Sequence, residues 1–180
     1  MVTRIVRRYT KALYEQTAQL GLQKAVTEDI NSLLILLKAN QLLKNFFRSP
    51  VINKVKKQSA IKMLFEGKVN KVTLDFILFL VEQTREDLIL EMFEDFIKYD
   101  KEMTNKIDVN VSSVIELDDK TKNTIIEEVK AYSGKEVIPS FDIDESLIGG
   151  FKINMGDYVI DASISRQLEI IKNKFKQVSL

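Results

Sequence analysis

Near Asn105 the apolar residues change their period, and that switch decides what the chain can fold into. Before it, apolar positions recur at the three-to-four spacing of helices. After it, Ile107, Val109 and Val111 alternate with Asp108, Asn110 and Ser112, as in a half-buried strand. The alternation returns at Phe151, Ile153 and Met155, followed by Gly156-Asp157 and a second run from Tyr158 to Ala162. Gly at the first position of a two-residue turn supplies the positive φ a hairpin needs, so this segment reads as a β-hairpin. Ser163 or Ser165 then caps a terminal helix. The expected fold class is α+β: an N-terminal six-helix bundle over residues 1–105, then a smaller C-terminal α+β domain over 106–180 with the hairpin and the terminal helix.

Caps and breakers place the helices. Residues 3–20 make the first, ended by Gly21. Thr27 is expected to cap the second, with Glu28 and Asp29 near its positive end and Ile30, Leu33, Leu34 and Leu37 on its buried face. A short helix spans Leu42 to Phe47. Ser49-Pro50 is expected to open the fourth, with Ser as cap and Pro at the first helical position, and Gly67 stops it. Residues 71–83 and 85–103 give the fifth and sixth, the sixth opened by Thr84 with Asp87 three residues on. Beyond the first strand, Asp118 to Ser133 reads as a helix closed by Gly134.

Composition narrows the function classes. Lys and Arg number 27 against 26 acidic residues, a net charge of +1, without the basic excess of a nucleic-acid binder. There is no Cys and no His, which removes disulfides, thiolate ligands, thiol nucleophiles and the commonest general base. The longest apolar run, Phe76 to Val81, falls far short of the roughly 20 residues of a membrane span. The basic start, with Arg4, Arg7, Arg8 and Lys11, reads as the solvated face of a first helix in preference to a transit peptide. With no signal peptide in view, the protein is expected to stay in the cytoplasm, and the sequon Asn110-Val111-Ser112 carries no weight.

Motifs of site chemistry fail at their essential positions. Gly134-Lys135 is followed by Glu136 where a phosphate loop needs Ser or Thr. Asp142-x-Asp144-x-Ser146 begins like a calcium loop, then has Leu147 where Gly is required and Ile153 where the bidentate Glu belongs. Asp157 and Asp161 fit turn and cap roles better than an acid–base pair. No catalytic, cofactor or metal site is expected, and no small-molecule substrate. Lys54, Lys56, Lys57 and Lys62 read as a solvated basic face.

Two helices carry more apolar surface than one core face requires. On the fifth, Val72, Phe76, Phe79 and Leu80 lie nearly opposite Leu74, Ile77, Leu78 and Val81. On the first, Val6, Leu13 and Leu20 form a core line, with Ile5, Tyr9, Ala12 and Gln16 beside it and a notch where Tyr9 meets small Ala12. Such helices are either enclosed by their own domain or line a groove for a partner's amphipathic helix, and the pattern leaves both open. In the last helix, Leu168, Ile171, Phe175 and Val178 make a narrow seam that suits either another helix or the hairpin.

The stretch from Asp144 to Ser163 also carries a family likeness. Asp144, Ser146-Leu147-Ile148-Gly149-Gly150, Gly156-Asp157, Val159-Ile160, Asp161 and Ser163 follow a pattern that closely resembles the C-terminal motif of the delta subunit of F-type ATP synthases. That family is the bacterial counterpart of the mitochondrial oligomycin-sensitivity-conferral protein. Arg8-Tyr9-x-x-Ala12-Leu13-Tyr14 resembles its opening helix, and Phe47-x-Ser49-Pro50-x-Ile52 its internal turn. Phe76-x-x-x-Leu80 and Arg85-x-x-Leu88 resemble its late N-terminal helices, so the likeness runs in order over essentially the whole chain. Thr10 and Val114 depart from the pattern, each standing where many members have a smaller residue.

The resemblance implies a non-catalytic stator protein that couples rotation to ATP synthesis or hydrolysis and proton transport. It implies that the first and fifth helices bind the N-terminal helix of an alpha subunit of the catalytic head. By position, Tyr9, Ala12, Phe76, Phe79 and Leu80 would form that groove. It also implies that the C-terminal part meets the C-termini of the b subunits of the stalk, with Leu168, Ile171 and Phe175 as the candidate seam. The location implied is the cytoplasmic face of the bacterial plasma membrane, peripheral and only through the complex. The likeness begins inside the first helix, so no cleaved leader is expected. Two rivals stand beside this reading: an unrelated helical adaptor, and an enzyme gathering Asp142, Asp144, Asp157 and Asp161 in a cleft with raised pKa values.

Overall fold

The computed structural model describes residues 3–156 and 158–178, with side chains as far as Asn173. The chain divides into two compact units, Met1–Lys101 and Glu102–Leu180. The first is helical: α1 (Arg4–Leu20), α2 (Gln23–Ala39), α3 (Gln41–Arg48), α4 (Lys54–Phe65), α5 (Lys71–Glu82), a 3-10 turn over Glu86–Leu88, and α6 (Ile89–Met103), whose last residues pass the division. The second holds β1 (Lys106–Ser113), α7 (Asp119–Ser133), β2 (Glu136–Ile143), β3 (Phe151–Met155), β4 (Tyr158–Asp161) and α8 (Ile164–Val178). The chain is thus a mixed fold of helices and one small four-stranded sheet, in the order β2-β1-β3-β4.

Polar anchors between elements fix α1 and α5, the two helices that matter for the site. Thr3 caps α1, its Oγ1 accepting from the N–H of Val6, and Gly21 ends it at φ 67°. Val6 and Leu13 reach the core as expected, but Leu20 is exposed and Thr10 and Thr17 are buried in its place. Thr10 Oγ1 donates to the Met92 carbonyl, and Arg7 pairs with the buried Asp95 at 3.0 Å while its guanidinium lies 4.5 Å from the Tyr99 ring centre. These bonds hold one flank of α1 on α6 and leave the Tyr9–Ala12 flank facing away from it.

The second anchor corrects an expectation. α2 starts at Gln23, so Thr27 lies inside the helix and caps nothing. Asp29 favours a positive helix end, but that of α5: its Oδ2 accepts from the Asn70 N–H at 2.6 Å and from Thr73 Oγ1 at 2.9 Å. Asn70 completes the cap by accepting from Val72 N–H. Two further starts differ from the sequence reading. Ser49 closes α3, and Asn53 caps α4 by accepting from Val55 N–H. Thr84 sits at φ 57°, a left-handed residue that cannot be an extended cap.

Lys57 is the clearest correction in this unit. It belongs not to a solvated face but to the core, 1% exposed, with Nζ donating to the Phe47 carbonyl at 3.0 Å and to Glu86 Oε1 at 2.7 Å. A lysine tolerates such burial only when paired, and its partner comes from the 3-10 turn 29 residues on.

In the second unit Val109, Val111, Ile153 and Met155 pack with Ile125 and Val129 of α7, while Asn110 and Asn154 belong to the alternate, polar side. β3 and β4 form the expected antiparallel hairpin with Met155 opposite Tyr158. Gly156 turns at φ 59°, and Asp157 lies outside the described residues. The sequence reading missed β2, which pairs parallel to β1 across the α7 crossover. Pro139 stands at its centre, and an edge strand tolerates the lost N–H that a central strand would not.

Candidate interaction site

α1 and α5 enclose an open groove of about 330 Å³ lined by Tyr9, Ala12, Gln16, Val72, Phe76 and Phe79. The Tyr9 and Phe79 ring centres are 6.0 Å apart and tilted by 41°, so an aromatic pair bridges the α1 and α5 walls at one end of the channel. Ala12 stays exposed, and its single methyl leaves the notch that the sequence suggested. Phe79 is 45% exposed although it sits in a helix otherwise rich in core residues. Leu80 is not part of the groove. It is fully buried, because on α5 it falls between the two apolar flanks and turns with Ile77 and Val81 into the core.

A larger apolar hollow of about 610 Å³, not anticipated from sequence, lies among α2, α3 and α4, lined by Leu36, Leu42, Phe46, Leu64 and Val69. Its signal was present in α3, where Leu42, Leu43, Phe46 and Phe47 crowd into eight residues but only Phe47 is buried.

In the second unit the motif from Asp144 to Ser163 is built of turns. Asp144 accepts from the N–H and hydroxyl of Ser146. Asp161 accepts from the Ser163 N–H, and Ser163 Oγ accepts from Arg166 N–H to cap α8. The Gly149 carbonyl accepts from Ile164 N–H, and the Phe151 carbonyl from Ala162 N–H, so the double-glycine loop is laced to the start of α8. Leu168 and Ile171 on α8 are 54% and 49% exposed and do not fold into the hairpin core. The Phe175 side chain lies outside the described residues.

At Asp144 and Asp161 the arrangement is the reverse of what the carboxylate-enzyme rival requires. Instead of raised pKa values in a cleft, hydrogen bonds from Ser146 and Ser163, hydroxyl first and backbone next, hold the Asp144 and Asp161 carboxyls below the usual range on an open surface. A lowered folded-state pKa stabilises fully above the unfolded value near ~4, and that contribution is lost as pH falls through the folded value. Acidification below about pH 4 is therefore expected to loosen this loop and the α8 cap. Hydrogen exchange at the Ser146 and Ser163 amides, corrected for intrinsic rate, reads it directly. Unchanged protection as the pH is taken from about 5 to well below the ordinary carboxylate range would contradict the assignment.

The hollows between the helices are apolar channels of the kind that seat a partner's amphipathic helix, and the Asp144 and Asp161 carboxylates are engaged in turn and cap hydrogen bonds. The family model for the ATP synthase delta (OSCP) subunit matches residues 5–175, and the chain belongs to that family. It is 32% identical to the ATP synthase subunit delta of Salinibacter ruber over 98% of this chain and 93% of that protein. It is 31% identical to that of Desulforamulus reducens over 94% of each. The fold matches a chain of the Toxoplasma gondii mitochondrial ATP synthase hexamer with a TM-score of 0.71, covering 96% of this chain and 98% of that one at 18% identity. The chain is accordingly a peripheral-stalk component of an F-type ATP synthase, from a family that is structural and not itself catalytic. Among the described residues, no helix is long and apolar enough to cross a membrane.

Proposed function

We propose that the α1–α5 groove holds the N-terminal helix of an alpha subunit, and that the C-terminal unit holds the C-termini of the b subunits, so that the chain ties the catalytic head to the stalk. In this reading residues 1–105 act as one six-helix bundle on the head, and residues 106–180 form the stalk-side domain, at the cytoplasmic face of the membrane. The observation that carries it is the groove itself: an apolar channel with an aromatic pair across one end and an alanine notch, open on a helix that already fills its core face. A partner's amphipathic helix anchors in such a channel through side chains one turn apart. On the stalk side, exposed Leu168 and Ile171 offer α8 as a second helix-packing surface.

Two contacts on one chain make a tether stronger than either alone, because the first raises the effective concentration of the second. Neither then needs more than the roughly 1,200–2,000 Å² of an ordinary specific interface. The test is calorimetric titration of the full chain with a synthetic peptide of the alpha N-terminal helix. Submicromolar binding is expected, weakened at least about tenfold (1.4 kcal/mol) by Ala12→Leu, which fills the notch from the surface without touching the core. Equal affinity for the native chain and Ala12→Leu would move the site elsewhere.

A further inference from the structure

We propose that Arg8 and Asp75 read the charge pattern of the helix in the α1–α5 groove, selecting one with an acidic residue on one flank of its apolar stripe and a basic residue about five positions away on the other. The inference rests on the groove reading above and adds its specificity. α1 and α5 run antiparallel along the channel, since Tyr9 meets Phe79 while Gln16 shares the lining with Val72. Arg8, on the α1 side, lines an adjoining hollow that shares Tyr9, Ala12 and Phe79 with the channel and continues it past its Phe79 end. Asp75 lines the channel from the α5 wall, one turn back toward Val72.

Both side chains are exposed, and neither is in an ion pair among the described residues; on the same helix as Arg8, Lys11 has Glu15 at 3.8 Å. Lys71 and Glu82 flank Asp75 along α5 without lining the channel. Two opposite, uncommitted charges on opposite walls of an apolar groove form a pattern that a partner can complement.

The spacing follows from helix geometry. Arg8 lies one residue beyond Tyr9, and Asp75 four residues from Phe79, so at 1.5 Å per residue they are offset by roughly 7–8 Å along the groove. On a helix seated between the walls, residues five apart differ by about 7.5 Å along the axis and about 140° around it, on opposite flanks of one apolar stripe. A partner with the reverse charges meets like charge on both walls.

The test uses the full chain with two synthetic probes: the alpha N-terminal helix, and a sibling in which its acidic and basic flank residues are exchanged. Arg8→Glu and Asp75→Lys are each expected to weaken binding of the first about threefold to tenfold, chiefly by slowing association. The exchanged peptide is expected to prefer the double variant R8E/D75K over the native chain. Native binding that is indifferent to both substitutions and to the exchange would overturn the charge reading while leaving the groove in place. No binding to the native chain would overturn both together.

Discussion

Removing either member of the buried Lys57–Glu86 pair is expected to destabilise the helical unit by about 3–5 kcal/mol. Lys57 Nζ has two partners, the Phe47 carbonyl and Glu86 Oε1, while Glu86 Oε2 has no hydrogen-bond partner among the described residues. Glu86→Ala therefore strands an ammonium in the core, and Lys57→Met strands a carboxylate. Replacing both, as K57M/E86L, removes the desolvated charges together and is expected to return to within about 1 kcal/mol of the native chain or above it. Urea unfolding followed at resolved methyl signals of Ile61, which is buried in the same core, measures all three. Single variants that lose less than about 1 kcal/mol would mean that water or a neighbour relieves the stranded charge.

Gly150→Ala is the corresponding break in the second unit, with an expected loss of about 3 kcal/mol. Gly150 sits at φ 80°, and an added Cβ would meet the Ala162 carbonyl oxygen at 2.5 Å and Ser163 Cα at 3.1 Å. Both are backbone atoms, so no rotamer change relieves the contact. Gly149→Ala meets the far end of the Ile164 side chain instead, at 2.6 Å from Cδ1, and is expected to cost less because that methyl can move. The order Gly150→Ala worse than Gly149→Ala should appear in hydrogen-exchange protection of β3 and α8. The Gly150 variant is also expected to keep its binding of the alpha N-terminal helix and lose that of a peptide from the C-terminal end of the b stalk. A Gly150→Ala chain as protected as the native one would remove the double glycine as the fixture of α8.

What could be read from sequence was mostly local. The Gly21 and Gly134 helix ends, the 151–161 hairpin and the Ser163 cap each depend on a few adjacent residues, and each appears where the pattern placed it. What sequence could not reveal depends on distant partners. α2 begins at Gln23 behind Leu22, a cap with no side-chain bond, so the polar Thr27 was the misleading signal. β2 is interrupted by Pro139 and makes sense only beside β1. The burial of Lys57 follows from Glu86 on another element. Of the groove residues, Tyr9, Ala12, Phe76 and Phe79 come together, whereas Leu80 does not. Which apolar flank of α5 stays open is decided by how Asp29 and Asp95 hold α5 and α1, 41 and 88 residues away in sequence.

Sedimentation of the full chain with isolated catalytic head and a soluble b-stalk fragment tests the tethering role most directly. A single ternary species is expected that forms only when the chain is present, reduced to chain plus stalk by Ala12→Leu and to chain plus head by Gly150→Ala. Head and stalk that never sediment together through a folded native chain would contradict it.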